Sequence, residues 1–344
     1  MVSPDSDQRF HPNPELLTPI NDDFSGKDIL STSQLNRESF EMLFGVSELM
    51  ERDLTADSTK ALLTGISTAA IFVDTSASFR TRGSFVSAIS HLGGLSPLTE
   101  PYPHLFPKTD DPAFDFKILA YKATCTDGLI IMRHSQEGAV KKASEVLREV
   151  YPEVIVPIIN AGDGIGEHPT QAMLDMYTLK KRFGKLNNLT GVIAGDLKNG
   201  RTLHSLIRGL SCYTNNSIYL LSPESLQLRD EDREYFSSLP INIVEIKNQD
   251  EIPLDASFWY WTRVQKERFE NPDGYEAVKD SMVLTNELLK RKGNKDMVIM
   301  HPGPVISEVA RPEIDPDPRW IYFEQAKNGL PVRMALLALV LGKV

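Results

Sequence analysis

The chain contains 344 residues, of which 41% are hydrophobic and 24% are charged, and its net charge is -10. This composition is typical of a folded globular protein, and the length suits two domains of about 150 residues each. The acidic balance argues against a protein that binds nucleic acid nonspecifically. Any site for an anion must therefore be local.

The amino-terminal segment and the cysteine content both bear on location. The first residues are polar and proline-rich, and no basic segment followed by an apolar run precedes the rest of the chain. No stretch of about 18 apolar residues occurs, so a membrane span is not expected. Cys125 and Cys212 are too few for a disulfide framework or a cysteine-built zinc site. We expect a cytoplasmic protein that neither contacts a membrane nor is secreted.

The elements predicted in chain order alternate between helices and strands. Residues 1–26 are expected to form a loose arm, and 32–52 an amphipathic helix with Thr32 or Ser33 as its N-cap. Seven apolar runs, most of them separated by helical patterns, are expected to be strands: 69–73, 129–132, 154–159, 191–194, 218–221, 258–261 and 297–300. This alternation predicts an α/β protein with parallel sheets, helices on both faces and ligands at the strand ends.

Two further segments have distinctive patterns. Residues 95–116 contain five prolines and no clear period, so we expect a long surface loop there. Residues 325–344 have a broad apolar face, which predicts a helix in spite of Gly329 and Pro331.

Residues 78–82 suggest a phosphate site. They follow a predicted strand and begin a predicted helix, with Ser78 as candidate N-cap. The helix dipole disfavours cations such as Arg80 and Arg82 in the first turn and favours anions there. Backbone N–H groups, the Ser78 and Thr81 hydroxyls and the Arg80 guanidinium could together bind a phosphate. Two solvated arginines at an exposed helix end are the alternative that the pattern alone leaves open.

Polar residues also follow the next two predicted strands. Arg133 comes directly after an apolar run, and His168 precedes Pro169 at the start of a helix, with Gln171 on the same side. His168 could be a structural cap or a neutral donor to a carbonyl oxygen. Asp163 and His168 lack a third ligand nearby, so no metal site is expected.

The later strand ends repeat this theme. Arg201 begins a helix in a turn that lacks G-x-G-x-x-G, which makes dinucleotide binding a weak hypothesis. Arg263 and Gln265 follow another strand, and the turn at Pro302 and Gly303 has carbonyls that could accept hydrogen bonds from a substrate amide. Polyanionic ligands are predicted by four arginines at strand ends: Arg80, Arg133, Arg201 and Arg263. No nucleophile motif is present, which favours direct group transfer.

These segments together resemble the aspartate/ornithine carbamoyltransferase family, and more closely its aspartate branch. S-F-R-T-R is similar to the family's S-T-R-T-R, MRHSQEGA to MRHPQEGA, and NAGDGIGEHPTQAMLD to NAGDG…HPTQ-x-LLD. GDLKNGRTLHSL, TRVQKERF, HPGP and the C-terminal segment resemble further signatures of that branch. The resemblance covers nearly the whole chain from about residue 27.

The resemblance implies a fold of two doubly wound parallel-sheet domains. A carbamoyl-phosphate-binding domain would comprise 1–168 plus the helix at 329–344, and an aspartate-binding domain 169–328. It also implies attack of the aspartate amine on carbamoyl phosphate, giving N-carbamoyl-aspartate and phosphate in pyrimidine biosynthesis, with no metal or other cofactor. The implied assembly is a homotrimer with sites at subunit interfaces.

The resemblance also implies roles for individual residues. The phosphate would be bound by Ser78, by the N–H of Phe79, and by Arg80 and Thr81. Those that polarise the carbonyl and stabilise the oxyanion are Thr81, Arg133 and His168. Those that hold the carbamoyl amine are Gln171 and the carbonyls of Pro302 and Gly303. Those for the aspartate carboxylates are Arg201, Arg263 and Gln265.

The chain departs from the family pattern at several places. Phe79 replaces a threonine, Gly303 and Val305 replace a leucine and an arginine, and Asn199 replaces a tyrosine. The S-x-x-K-G-E-type stretch, which in the family reaches a neighbouring subunit's site, is absent from 95–116, where Lys108 is the one candidate substitute. A divergent homologue that uses another amine, or serves as a non-catalytic binding or assembly subunit, is therefore the alternative.

Overall fold

The computed structural model describes residues 17–54, 61–72, 79–98, 127–150, 152–153, 155–266, 269 and 271–344. These residues divide into two compact units. The first unit comprises the described residues up to Tyr177 together with Asn328–Val344, and the second comprises those of Thr178–Lys327. Each unit is built around its own parallel sheet.

The sheet of the first unit has four parallel strands in the order β2-β1-β3-β4. Its strands are β1 Ser67–Phe72, β2 Leu95–Leu98, β3 Ile130–His134 and β4 Ile158–Asp163. The helices that begin in this unit, or lie partly in it, are α1 Arg37–Asp53, α2 Phe79–His91, α3 Ala139–Val150, α4 Pro169–Phe183 and α10 Tyr322–Val340. Strand β3 is fully buried through Met132, as expected of a parallel sheet covered on both faces.

The sheet of the second unit has five parallel strands in the order β7-β6-β5-β8-β9. Its strands are β5 Thr190–Ala194, β6 Ser217–Leu221, β7 Asn242–Ile246, β8 Phe258–Trp261 and β9 Val298–Met300. Its helices are α5 Arg201–Ser211, α6 Asp230–Ser237, α7 Pro272–Val278, α8 Asn286–Lys292 and α9 Arg311–Ile314. Trp259 and Trp261 are fully buried on one face of β8 and form part of the core. The predicted α/β fold with two parallel sheets is confirmed.

The first helix starts later than the sequence predicted. Thr32–Gln34 form a separate 3-10 turn, capped by the Ser31 side chain, which accepts the Ser33 N–H. Helix α1 begins after Asn36, whose side chain accepts the N–H of Ser39. Ser31 is therefore the N-cap of the turn and Asn36 the N-cap of the helix. The predicted caps, Thr32 and Ser33, lie inside the turn.

The sequence missed one edge strand in each sheet and misplaced the start of a strand that follows a proline. Strands β2 and β7 were not predicted, because both lie at sheet edges and neither has a continuous apolar run. The run at 154–159 belongs to a strand that starts only at Ile158, directly after Pro157, which has no N–H to donate to a ladder. The predicted loop at 95–116 begins as β2, and its residues 99–116 lie outside the described part of the chain.

Both ends of the first unit are packed. Leu17, Ile20 and Phe24 are buried, so residues 17–26 do not form the loose arm that was expected; residues 1–16 lie outside the described chain. The C-terminal helix is present as α10, with Pro331 inside it and with buried apolar residues from Val332 to Val340. Among the described residues, no helix is long and apolar enough to cross a membrane.

Candidate active site

Arg133 and His168 meet at the carboxyl edge of the first sheet. Arg133 lies near the end of β3, where it is only 8% exposed, and His168 lies directly before α4, where it is 3% exposed. Arg133 Nη1 donates to the Ala161 carbonyl at 3.0 Å and lies 3.4 Å from His168 Nε2. A guanidinium and an imidazole that were separate motifs in the sequence are therefore direct neighbours.

The hydrogen-bond partners of His168 indicate which ring nitrogen carries the proton. A guanidinium only donates, so the Nε2 atom beside Arg133 must be an acceptor and the proton must lie on Nδ1. Nδ1 lies 3.4 Å from the hydroxyl of Thr170, which is fully buried. Since a hydroxyl can donate or accept, Thr170 can serve either neutral tautomer of His168.

Gly164 lets the loops after β3 and β4 approach each other. Its N–H donates to the His134 carbonyl at 2.9 Å, and its φ of +49° lies in the left-handed region. A Cβ at this position would lie 2.6 Å from the Glu137 nitrogen and 2.8 Å from the Ser135 oxygen. No larger residue fits there without moving a loop next to Arg133.

Two buried carboxylates fix the loop between β4 and α4. Asp163 accepts the N–H of Glu167 at 2.8 Å and that of Gly138 at 3.1 Å. Glu167 in turn accepts the N–H of Thr32 at 2.9 Å and the hydroxyl of Ser31. Burial raises the pKa of Asp163 to about 6, although the backbone donors favour its charged form. The loop that carries His168 is thus fastened to both neighbouring segments.

Gln171 is the third residue of α4 and is 4% exposed. Its Nε2 donates to Asp175 Oδ1 at 2.9 Å, and Asp175 is fully buried. Asp175 belongs to the same HPTQAMLD segment, but the sequence analysis gave it no role. Its spacing of four residues from Gln171 on a helix is the signal that could have found it.

Helix α2 presents the predicted phosphate motif. Thr81 is buried, Arg80 is exposed, and the Phe79 side chain is 89% exposed. Strand β1 pairs with β3 so that Phe72 lies opposite Arg133, which places the end of β1 at the same sheet edge. Ser78 and Lys108 lie outside the described residues.

In the second unit, Asp196 joins two of the predicted segments. It follows β5, is fully buried, and accepts hydrogen bonds from the Asn199 side chain at 3.1 and 3.2 Å and from the Gln265 N–H at 3.2 Å. Gln265 Nε2 donates to the Asn199 carbonyl at 2.7 Å. That carbonyl also accepts the N–H of Arg201, the first residue of α5. Arg201 and Gln265 are thus brought to one place by a residue that the sequence analysis did not select.

Arg263 is held on the same edge by Gly195. The N–H of Thr262, the preceding residue, donates to the Ala194 carbonyl at 2.8 Å, and its hydroxyl donates to the same oxygen at 3.0 Å. A Cβ at Gly195 would lie 2.2 Å from the Thr262 oxygen, and Gly195 has a φ of +119°. Glycine is required there for the two strands to end side by side.

The turn after β9 contains Pro302, which is buried, and Gly303, which is half-buried. The Gly303 N–H donates to His301 Nδ1 at 2.8 Å, so the ring proton lies on Nε2, which faces Glu308 Oε1 at 3.0 Å. Burial opposes ionisation of Glu308, but the hydrogen bond and electrostatic attraction of His301 and the hydrogen bonds from backbone N–H groups together outweigh it and keep the Glu308 pKa below its ordinary value. This pair fixes the turn within the second unit.

The structure therefore forms two polar edges, one in each unit. Thr81, Arg133, His168 and Gln171 belong to the first, while the second contains Arg201, Arg263, Gln265, Pro302 and Gly303. Within the described part of the chain, no group of three or more His, Cys, Asp or Glu residues could hold a metal ion. The chemistry available at both edges is hydrogen bonding and charge, supplied mainly by arginines.

Two domain models of one protein family match most of the chain. Residues 27–181 match the aspartate/ornithine carbamoyltransferase carbamoyl-P binding domain, and residues 187–340 match the Asp/Orn binding domain of the same family. The aspartate carbamoyltransferase catalytic subunit of Hyperthermus butylicus is 38% identical, over 93% of this chain and 98% of the relative. Multifunctional protein pyr1-3 of Dictyostelium discoideum is 40% identical over 92% of this chain, which spans 14% of that relative.

A solved structure has the same fold. Aspartate transcarbamoylase from Trypanosoma cruzi, in complex with carbamoyl phosphate and aspartate, superposes with a TM-score of 0.79 and 28% identity. The match covers 94% of this chain and 99% of that one. The resemblance inferred from the motifs is confirmed, and the chain belongs to the aspartate/ornithine carbamoyltransferase family.

Proposed function

We propose that this chain transfers the carbamoyl group of carbamoyl phosphate to the amine of L-aspartate, as a step in pyrimidine biosynthesis. The observation that carries the proposal is the pair of buried, adjacent side chains Arg133 and His168 in a chain of this family. The amine nitrogen bonds to the carbonyl carbon, and the carbon–oxygen bond to phosphate breaks. The amine proton leaves with the phosphate, so the products are N-carbamoyl-L-aspartate and phosphate.

In the first unit, Thr81, Arg133 and His168 would stabilise the oxyanion that forms on the carbonyl oxygen. Preorganised donors in a site shielded from water are the most effective catalysts of such a step. When the substrate oxygen replaces the imidazole as the partner of Arg133, His168 can donate to that oxygen from Nε2. Thr170 would then donate its hydroxyl proton to Nδ1 instead of accepting one.

The phosphate would bind at the start of α2. Ser78, the Phe79 N–H, Arg80 and Thr81 are assigned to it by the family motif. Arg80 is exposed, which leaves its guanidinium accessible to an incoming anion, and Thr81 is buried. The helix dipole supports an anion at this end.

The carbamoyl amine and the aspartate would use the remaining residues. Gln171 and the carbonyls of Pro302 and Gly303 are assigned to the amine. Arg201, Arg263 and Gln265 are assigned to the aspartate carboxylates, for which a guanidinium fork is the natural partner. The relative from Trypanosoma cruzi binds both substrates in its crystal, which supports the pairing of carbamoyl phosphate with aspartate.

The remaining proposals concern organisation. The carbamoyl-phosphate domain would comprise 1–168 plus 329–344, and the aspartate domain 169–328. We propose a homotrimer with sites at subunit interfaces, in which Lys108 substitutes for the missing loop lysine, and a cytoplasmic location. A native mass of about three times the 38.5 kDa of the chain is the expected result, and a monomer would contradict the trimer.

The activity test uses pure protein with carbamoyl phosphate and a panel of amines that includes aspartate. Release of phosphate together with a ureido product only with aspartate is the expected outcome. Arg133→Ala should abolish most of the turnover, while Arg311→Ala, which removes an exposed arginine paired with Asp315, is the matched control. Turnover with another amine and not with aspartate would overturn the substrate.

One sequence feature favours the alternative of a non-catalytic homologue. The S-x-x-K-G-E-type stretch is absent from 95–116. By analogy with a lost oxyanion donor, loss of one such cation would cost about 10²- to 10³-fold in rate. Calorimetric binding of carbamoyl phosphate without turnover of any amine would support this alternative and overturn the catalytic proposal.

A further inference from the structure

We propose that Asp175 is a positioning residue, which turns the Gln171 side chain so that its amide oxygen, and not its nitrogen, faces the carbamoyl amine. The inference rests on the proposed function, because it takes the Gln171 amide as the partner of that amine. It adds to the proposed site a buried side chain that touches neither substrate. Its consequence is discrimination between carbamoyl phosphate and free phosphate.

The hydrogen bond between Gln171 and Asp175 has one polarity. Gln171 Nε2 lies 2.9 Å from Asp175 Oδ1, and both side chains are buried. A carboxylate only accepts, so the amide nitrogen must face it and the amide oxygen must face the other way. Without this partner the amide could flip. A flipped Gln171 would oppose the NH2 of the carbamoyl group with its own NH2.

Arg333 explains how a carboxylate remains in this interior. It lies on α10, is 3% exposed, and donates from Nη1 to Ser84 Oγ at 3.0 Å and to the Gly329 carbonyl at 3.3 Å. Its guanidinium also lies 5.0 Å from the centre of the Phe85 ring. Burial and the charge of Arg80 lower the pKa of Arg333 to about 9, whereas Asp175 opposes that fall. Asp175 and Arg333 thus carry opposite charges that attract each other.

These contacts link the two halves of the proposed donor site. Ser84 and Phe85 belong to α2, the helix that carries Arg80 and Thr81, while Asp175 belongs to α4, the helix that carries Gln171. The phosphate groups on α2 do not depend on the direction of the Gln171 amide. Loss of Asp175 should therefore weaken binding of carbamoyl phosphate and spare binding of inorganic phosphate. General damage to the site would weaken both.

The test compares calorimetric affinities for carbamoyl phosphate and for inorganic phosphate. In Asp175→Asn, the new amide can donate to Gln171 and permits the flip. We expect the preference for carbamoyl phosphate to fall about tenfold, the equivalent of one hydrogen bond, while the affinity for phosphate stays equal or rises because a negative charge is gone. Equal losses for both ligands, or no loss, would overturn the proposal.

A reciprocal exchange gives the sharper result. The double variant Gln171→Glu with Asp175→Asn keeps the net charge and reverses the buried hydrogen bond, so that the amide introduced at position 175 donates and the carboxylate introduced at position 171 presents an oxygen to the carbamoyl amine. We expect it to restore the preference to within about threefold of wild type. Because the double variant keeps the hydrogen bond, it can test the proposal even if Asp175→Asn alone does not fold. A folded double variant without preference would contradict the inference.

Failure of the proposed function is distinguishable from failure of this inference. A wild-type chain that prefers carbamoyl phosphate but makes no ureido product would refute the reaction, and the binding ratios would still test Asp175. A wild-type chain that binds both ligands equally would overturn the positioning role itself.

Discussion

The polar edges of the two units are built differently, although both lie at the carboxyl ends of parallel strands. In the first unit, Arg133 and His168 are buried and bonded within the protein, whereas in the second Arg201 and Arg263 are half-buried. Hydrogen bonds and charges act more strongly where water is excluded. The first edge is therefore suited to stabilising charge during a reaction, and the second to capturing a charged substrate from water.

The largest effect that would test this contrast comes from Arg133. Arg133→Ala should lower kcat about 10²- to 10³-fold, as expected for the loss of an oxyanion donor in a shielded site. The KM for aspartate should change by less than about threefold, since the residues proposed to bind aspartate lie at the second edge. Steady-state kinetics with both substrates varied would decide. A change confined to the KM for aspartate would reverse the roles given to the two edges.

The buried carboxyl of Asp163 predicts a cost in stability at the first edge. Its pKa rises from an ordinary value of 3.8 to about 6 on folding, so its favourable contribution is complete below about pH 4 and is lost as the pH rises through 6. The loss amounts to about 3 kcal/mol. Denaturant titrations at pH 4 and pH 7 should therefore show that the free energy of unfolding falls more between these pH values for wild type than for Asp163→Asn. An equal fall in the two proteins would contradict the shift in the Asp163 pKa.

Removal of Arg201 should weaken the binding of aspartate. Arg201→Ala should raise the KM for aspartate about 10- to 100-fold, the effect of losing a hydrogen bond between charged groups, which is worth about 1.5 to 3 kcal/mol. Calorimetric affinity for carbamoyl phosphate should remain as in wild type. If both affinities fell together, Arg201 would not be specific to the second edge.

A smaller effect should come from Thr170, which contacts the ring of His168. Thr170→Val keeps the shape and removes the hydroxyl, and we expect kcat to fall about fivefold, since a neutral hydrogen bond is worth about 1 kcal/mol. Thr262→Val is the matched control in the second unit, where the hydroxyl bonds to the Ala194 carbonyl. Equal losses of kcat in the two variants would remove the distinction between the edges.

The sequence predicted the parts of these edges that depend on motifs and periodicity. Arg133 and Arg263 were placed at strand ends because apolar runs precede them. The parallel pairing of neighbouring strands then brings these ends to one edge of each sheet. Asp196 and Asp175 were not selected, since each acts through a partner that only the folded chain places beside it. Edge strand β7 was missed because only Ile246 among its residues is buried, so the strand lacks a continuous apolar run.

Helix α10 has a consequence for the order in which the chain can fold during synthesis. Its residues from Asn328 complete the first unit, but they follow the whole of the second unit along the chain. At about 5 to 20 residues per second, the roughly 150 residues from 178 to 327 take about 8 to 30 s to synthesise. Throughout that interval the apolar surface that α10 covers faces solvent. Nascent chains stalled before Asn328 should therefore bind chaperones more strongly than chains that include the whole of α10.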